Sequence, residues 1–79
     1  MLLPQDVKLG DYDHKGLWFL TKDTAVRCTF VPTYYNDPET HRRVYMANGA
    51  IQIEGRPIKY PSIAHARAGV ARMINEMQV

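Results

Sequence analysis

The sequence predicts an α+β fold: an antiparallel β-meander of three to five strands with one C-terminal helix, about residues 62–77, packed on one face. Three observations predict it. Residues 26–31 alternate, with Val26, Cys28 and Phe30 on one side and Arg27, Thr29 and Val31 on the other, the period of a half-buried strand. Asn48-Gly49 separates two further alternating runs and suits a type I′ hairpin turn. After Ser62, the residues Ile63, Ala66, Val70, Met73, Ile74 and Met77 recur at helical spacing and make one apolar stripe.

Taken in order, Met1 to Gly16 carries Pro4, Gly10, Gly16 and the polar stretch Asp11 to Lys15. It reads as an N-terminal arm, loosely ordered, with one short strand around Val7–Leu9. Leu17 to Leu20 is a short apolar run that reads as a buried strand. Thr21-Lys22-Asp23-Thr24 is a turn. Pro32 cannot donate to a ladder, which places the Val26–Val31 strand at an edge or at a bulge. Asn36 to Thr40 is dense in turn formers.

Direct pairing across that loop sets Tyr35 opposite His41, Tyr34 opposite Arg42, Thr33 opposite Arg43 and Phe30 opposite Met46. Counting outward from Asn48-Gly49 sets Ala47 against Ala50, Met46 against Ile51, Tyr45 against Gln52, Val44 against Ile53 and Arg43 against Glu54. A slip by one residue would mix the faces. Phe30, Val44, Met46, Ile51 and Ile53 then share the core side. Arg27, Thr29, Val31, Thr33, Tyr35, His41, Arg43, Tyr45, Gln52 and Glu54 share the outer side. Gly55-Arg56-Pro57 turns the chain, and Ile58-Lys59-Tyr60 adds a short fourth pairing. Ser62 is a natural N-cap. Gly69 inside the helix costs about 1 kcal/mol relative to Ala, so a packing reason is expected for it.

The 79 residues fit a single domain, 1–79, of 46% apolar and 23% charged residues, an ordinary globular composition. Such a domain buries roughly 60% of its unfolded surface. The longest apolar run, Leu17 to Leu20, is far short of a membrane span, and Pro4-Gln5-Asp6 interrupts the N-terminal apolar residues before they reach leader length. Cys28 is the sole cysteine and suits a reducing compartment. Together these point to the cytoplasm, of a bacterial cell or an infected host, and to no membrane. The net charge is +2, split as −1 over residues 1–24 and +3 over residues 25–79. The basic residues of the second part are six Arg and one Lys, and Arg favours planar, fork-like contacts.

Catalysis draws little support. Cys28 falls on the core side of its strand, where a thiol is inert. The three His residues are scattered, without the spacing of a metal site, and Asp11, Asp13 and His14 read as a solvated loop. No phosphate-cradling glycine loop precedes the helix, and no cofactor or metal is expected. The outer sheet side is the better candidate. Arg27, Tyr35, His41, Arg43 and Tyr45 form the expected partner-binding set, a mixture enriched at energetic centres of interfaces. The plainer reading pairs Arg43 with Glu54 and leaves Tyr45 an ordinary strand aromatic. Nucleic acid is an alternative ligand for the same face, through Arg27, Arg43 and Tyr45, with Arg67 and Arg72 adding field from the helix.

The run from Gly55 through Tyr60 and Ser62 to Ala71 is similar to small modules attached to restriction methylases, in which a hairpin leads through a Ser-containing cap into an Ala-rich helix. No functional residue is carried over from that likeness. The chain also resembles, in scale alone, the small inhibitors and adaptors of phages and mobile elements, anti-CRISPR proteins among them. The expected function is therefore non-enzymatic binding to a host protein or ribonucleoprotein complex. A nucleic-acid-binding module and a homo-oligomeric structural protein, for instance a homodimer, are the alternatives.

Overall fold

The computed structural model describes residues 1–32, 34–45 and 49–77, the side chains of Tyr34, Tyr35 and Tyr45 excepted, and these described residues form seven short strands and one long helix. A 3₁₀ turn at Pro4–Asp6 leads into β1 (Lys8–Tyr12), followed by β2 (Gly16–Leu20) and β3 (Ala25–Val31). Next come β4 (Tyr34–Asn36), β5 (Arg43–Tyr45), β6 (Ala50–Ile53), β7 (Lys59–Tyr60) and α1 (Ile63–Met77). The main sheet is antiparallel with the order β1-β2-β3-β6-β7, while β4 and β5 pair with each other. The fold is thus α+β: a five-stranded meander with a two-stranded ribbon inserted between β3 and β6.

Alternation builds the core. Leu17 and Phe19 of β2 face Cys28 and Val26 of β3, and Cys28 faces Ile53 of β6. All five are buried and meet Ala66, Val70 and Ile74 of the helix stripe. Ser62 caps α1 as expected, its hydroxyl accepting the His65 N–H at 3.2 Å. Gly69 has its packing reason: a Cβ there would strike the Tyr60 ring. At Gly55 a φ of 84° fits the third position of a turn closed by the Arg56 N–H on the Ile53 carbonyl at 3.0 Å, which demands left-handed backbone.

The N-terminal segment carries more structure than one strand around Val7–Leu9. Val7 is 2% exposed within the core. Asn75 of α1 accepts the Leu2 N–H and donates to the Leu2 carbonyl, both at 2.8 Å. Residues 1–12 therefore seal one side of the helix and add the edge strand.

Three strand expectations are corrected. β6 does not pair with β5: its neighbours are β3 and β7, with Ile51 opposite Phe30 and Tyr60. The longer β3 brings Ile51 and Ile53 onto Val26 and Cys28, a burial that three-residue β5 cannot match. The pairs Val44–Ile53, Arg43–Glu54 and Tyr45–Gln52 are consequently absent. The ribbon register is also different, with Tyr34 opposite Tyr45, Tyr35 opposite Val44 and Asn36 opposite Arg43. Its loop closes later because Asp37 organises it. The Asp37 N–H donates to the Arg42 carbonyl at 2.8 Å, the Asp37 carbonyl accepts the His41 N–H at 2.9 Å, and His41 takes a φ of 57°. Finally, Pro32 follows a central strand and ends it; β3 is not at an edge. The expected pairings of Thr33, Met46 and Ala47, and the Asn48 half of the turn, lie outside the described residues. Gly49 runs close to β3, where an added Cβ would sit 2.7 Å from the Val31 oxygen.

The radius of gyration is 14.6 Å and the long axis 48 Å. A compact chain of this length would have a radius near 12 Å.

Candidate functional site

Because α1 covers one face of the sheet, the residues alternating with the core form an open outer face. Trp18 of β2 lies opposite Arg27 of β3, and the Arg27 guanidinium carbon sits 5.6 Å from the Trp18 ring centre, within cation–π range. The Asp13 carboxylate approaches the same guanidinium at 4.0 Å. That carboxylate is fixed by the β1–β2 turn, accepting the Lys15 N–H at 2.8 Å and the Gly16 N–H at 3.0 Å. These two amides, and then Arg27 and His14, hold Asp13 below the usual carboxylate range. Arg27 is thereby oriented by a neighbour on each side rather than left to sample solvent.

Beside this pair the face is partly apolar. Trp18 is 38% and Leu20 41% exposed, and the Leu20 side chain lies over Gly10, where a Cβ would come within 2.9 Å of it. Gln52 follows Thr29 across the sheet, and its amide donates to the Arg56 carbonyl at 2.7 Å. Glu54 adjoins Arg27, not Arg43, through its N–H on the Arg27 carbonyl at 3.0 Å.

The second surface is the ribbon. Its strands carry Tyr34, Tyr35, Arg43 and Tyr45, and its exposed loop carries His41 and Arg42. Alternation assigns Tyr34, Asn36, Arg43 and Tyr45 to one register face, and Tyr35 with Val44 to the other. The expected partner-binding set is thus distributed: Arg27 on the main sheet, His41 in the loop, Arg43 and Tyr45 on one ribbon face, Tyr35 on the opposite one. The nucleic-acid set is spread further. Arg67 is half-buried and Arg72 exposed on α1, which packs on the side of the sheet away from Arg27.

Two reactive residue types have structural employment. Cys28 is fully buried, and burial pushes its thiol up to about 11. The Ser62 hydroxyl meets His65 Nδ1 at 2.7 Å while accepting the His65 N–H, so the contact belongs to the helix cap. Among the described residues no three His, Cys, Asp or Glu side chains gather as metal ligands. Among the described residues no helix is long and apolar enough to cross a membrane.

Trp18 and Leu20 are the surface residues that sequence reasoning missed. Their signal was available in the period-2 alternation inside Leu17 to Leu20, which a reading of that run as wholly buried overlooks. No family model, curated protein or solved structure matches this chain.

Proposed function

We propose that this chain is a non-enzymatic binding protein that covers a working surface of a larger host assembly. It would act in the manner of the small inhibitors and adaptors of phages and mobile elements, anti-CRISPR proteins among them. The observation that carries this reading is the β4–β5 ribbon, rich in Tyr and Arg and bonded, among the described residues, to no strand of the main sheet. A lone two-stranded hairpin is marginal in water, so a ribbon of this kind gains most by lying against another surface. Tyr and Arg are also the residue types enriched where binding energy concentrates. Trp18 and Arg27 offer a second contact of the same chemistry on the body.

The test is affinity capture from a host lysate, with and without nuclease, comparing the natural chain with the double variant R43E/Y45A. The natural chain is expected to retain one assembly in fixed proportion under both conditions and to suppress that assembly's activity at about one equivalent. The variant, folded by circular dichroism, is expected to lose it. Retention by the folded variant would place the contact elsewhere. Binding that vanishes with nuclease and falls steeply with salt would favour nucleic acid instead, because phosphate contacts release counterions.

A further inference from the structure

Residues 1–6 are held to the rest of the molecule at one point. They bond to one another and to Val7. The Leu3 N–H donates to the Asp6 carboxylate at 2.8 Å, the Asp6 N–H to the Leu3 carbonyl at 2.9 Å and the Val7 N–H to the Pro4 carbonyl at 3.1 Å. Beyond that turn, their hydrogen bonds among the described residues are the two between the Leu2 backbone and the Asn75 side-chain amide. Leu2 is also the one residue of the six that is not exposed, and it packs against the core. Two crevices border the segment. One of about 450 Å³ lies toward Ala68, Ala71 and Arg72 of α1, and one of about 590 Å³ toward Leu20, Thr21 and Lys22 at the end of β2.

We propose that residues 1–6 form a strap latched by Asn75, which opens and closes as a unit while the sheet and α1 stay folded. The inference goes beyond the proposed function and does not rest on it. The latch is the first argument. Asn75 accepts from and donates to the same residue, so one side chain does for Leu2 what a paired strand does for a longer segment. The chain that follows is held differently, because β1 begins at Lys8 and pairs with β2. Packing is the second. A segment anchored by one half-buried side chain gives up little apolar area when it lifts, and hydrophobic stabilisation scales with that area. Local openings come from segments with few buried apolar contacts and exposed backbone bonds. Position is the third. Val7 is 2% exposed and leads directly into β1, so it is the fixed point about which the strap moves. Lifting the strap bares the side of α1 that carries Ala71, a residue 2% exposed when the strap is closed. The strap is thereby a conformational device that controls access to one side of the helix.

The experiment is amide hydrogen exchange on the full chain, followed by NMR with and without low urea. The reporters are the Asp6 and Val7 amides, whose bonds lie inside the turn. A lone turn is not stable in water, so these amides read whether the strap is docked. In the natural chain they are expected to exchange about tenfold or more faster than the amides of central β3. They are also expected to lack the urea response of global unfolding, which scales with the surface exposed. Asn75→Ala is expected to speed the strap amides about tenfold or more, the scale of two lost hydrogen bonds, and to leave the β3 amides no faster. Leu2→Ala keeps both backbone bonds to Asn75 and is expected to act in the same direction through lost packing. Strap amides that exchange together with β3, with the same urea response, overturn the proposal. So does equal acceleration of both regions in either variant, or a strap indifferent to both substitutions.

Discussion

The five-stranded body and the β4–β5 ribbon are made of similar residues and held by different means. In the body every strand has a neighbour, and an apolar side faces α1. Arg27 of that body is fixed by Trp18 and Asp13. In the ribbon the two three-residue strands have, among the described residues, only each other in the ladder, and the loop is shaped by local bonds from Asp37. The body obtains stability from burial, the term that scales with apolar area. The ribbon's Tyr and Arg residues are, under the proposed function, contact material. The proposed function thereby assigns stability and recognition to different segments of one short chain.

The sharpest way to probe that division is a core truncation. Phe19 is fully buried between β2 and the helix layer, and Phe19→Ala is expected to cost about 3–5 kcal/mol, read as a lower urea midpoint. A smaller coupled effect is expected at Gly69. Alanine should gain about 1 kcal/mol of helix propensity there, but the Tyr60 ring occupies the space. Gly69→Ala is expected to destabilise the natural chain and to become stabilising in a Tyr60→Ala background. A double-mutant cycle by thermal unfolding checks the change of sign. If the sign does not change, the ring is not what excludes the Cβ.

The body was legible in sequence to the extent that periodicity decided it. Alternation in Val26 to Val31, the Ser62 cap and the Ile63–Met77 stripe each identified an element and its buried face. What sequence could not decide was which strand takes β6. Asn48-Gly49 is a strong local signal for β5, but β3 offers β6 a longer apolar partner, and tertiary burial outweighed local turn chemistry. The same limit applies to the candidate site. Arg27, Arg43 and Tyr45 were identified as candidates from residue type and alternation, while their grouping depended on strand pairing: β6 beside β3 separates Arg27 from the ribbon, and the ribbon register turns Tyr35 away from Arg43 and Tyr45. Trp18 was hidden by the apolar run that contains it.

Effects near 1 kcal/mol test the termini of elements. Ser62→Ala removes the acceptor of the His65 N–H and is expected to cost about 1 kcal/mol by chemical denaturation, with the sheet intact. The Asp13 turn gives a smaller effect with a defined pH dependence. Its folded pKa lies below the ordinary value, so its stabilisation is present above the unfolded carboxylate pKa of roughly 3.9. That contribution is lost as pH falls through the lower folded value. The stability difference between the natural chain and Asp13→Ala is therefore expected to narrow between neutral pH and about pH 3. A difference that stayed constant across this range would mean that the charge of Asp13 is irrelevant to the turn.

The smallest expected change comes from the largest excision, and it bears most directly on the comparison. Replacing residues 34–45 by a short Gly-Ser link leaves β3 and β6 paired through Val31 opposite Ala50. It also shortens the excursion between them, and each halving of a flexible loop returns about 0.6 kcal/mol. The excised chain, measured by urea unfolding, is expected to match or slightly exceed the stability of the natural one. Partner capture is expected to disappear with the ribbon. A loss of more than about 2 kcal/mol would belong to the class of core or network damage. It would show that the ribbon is part of the folding unit, and the assignment of stability and recognition to separate segments would be wrong.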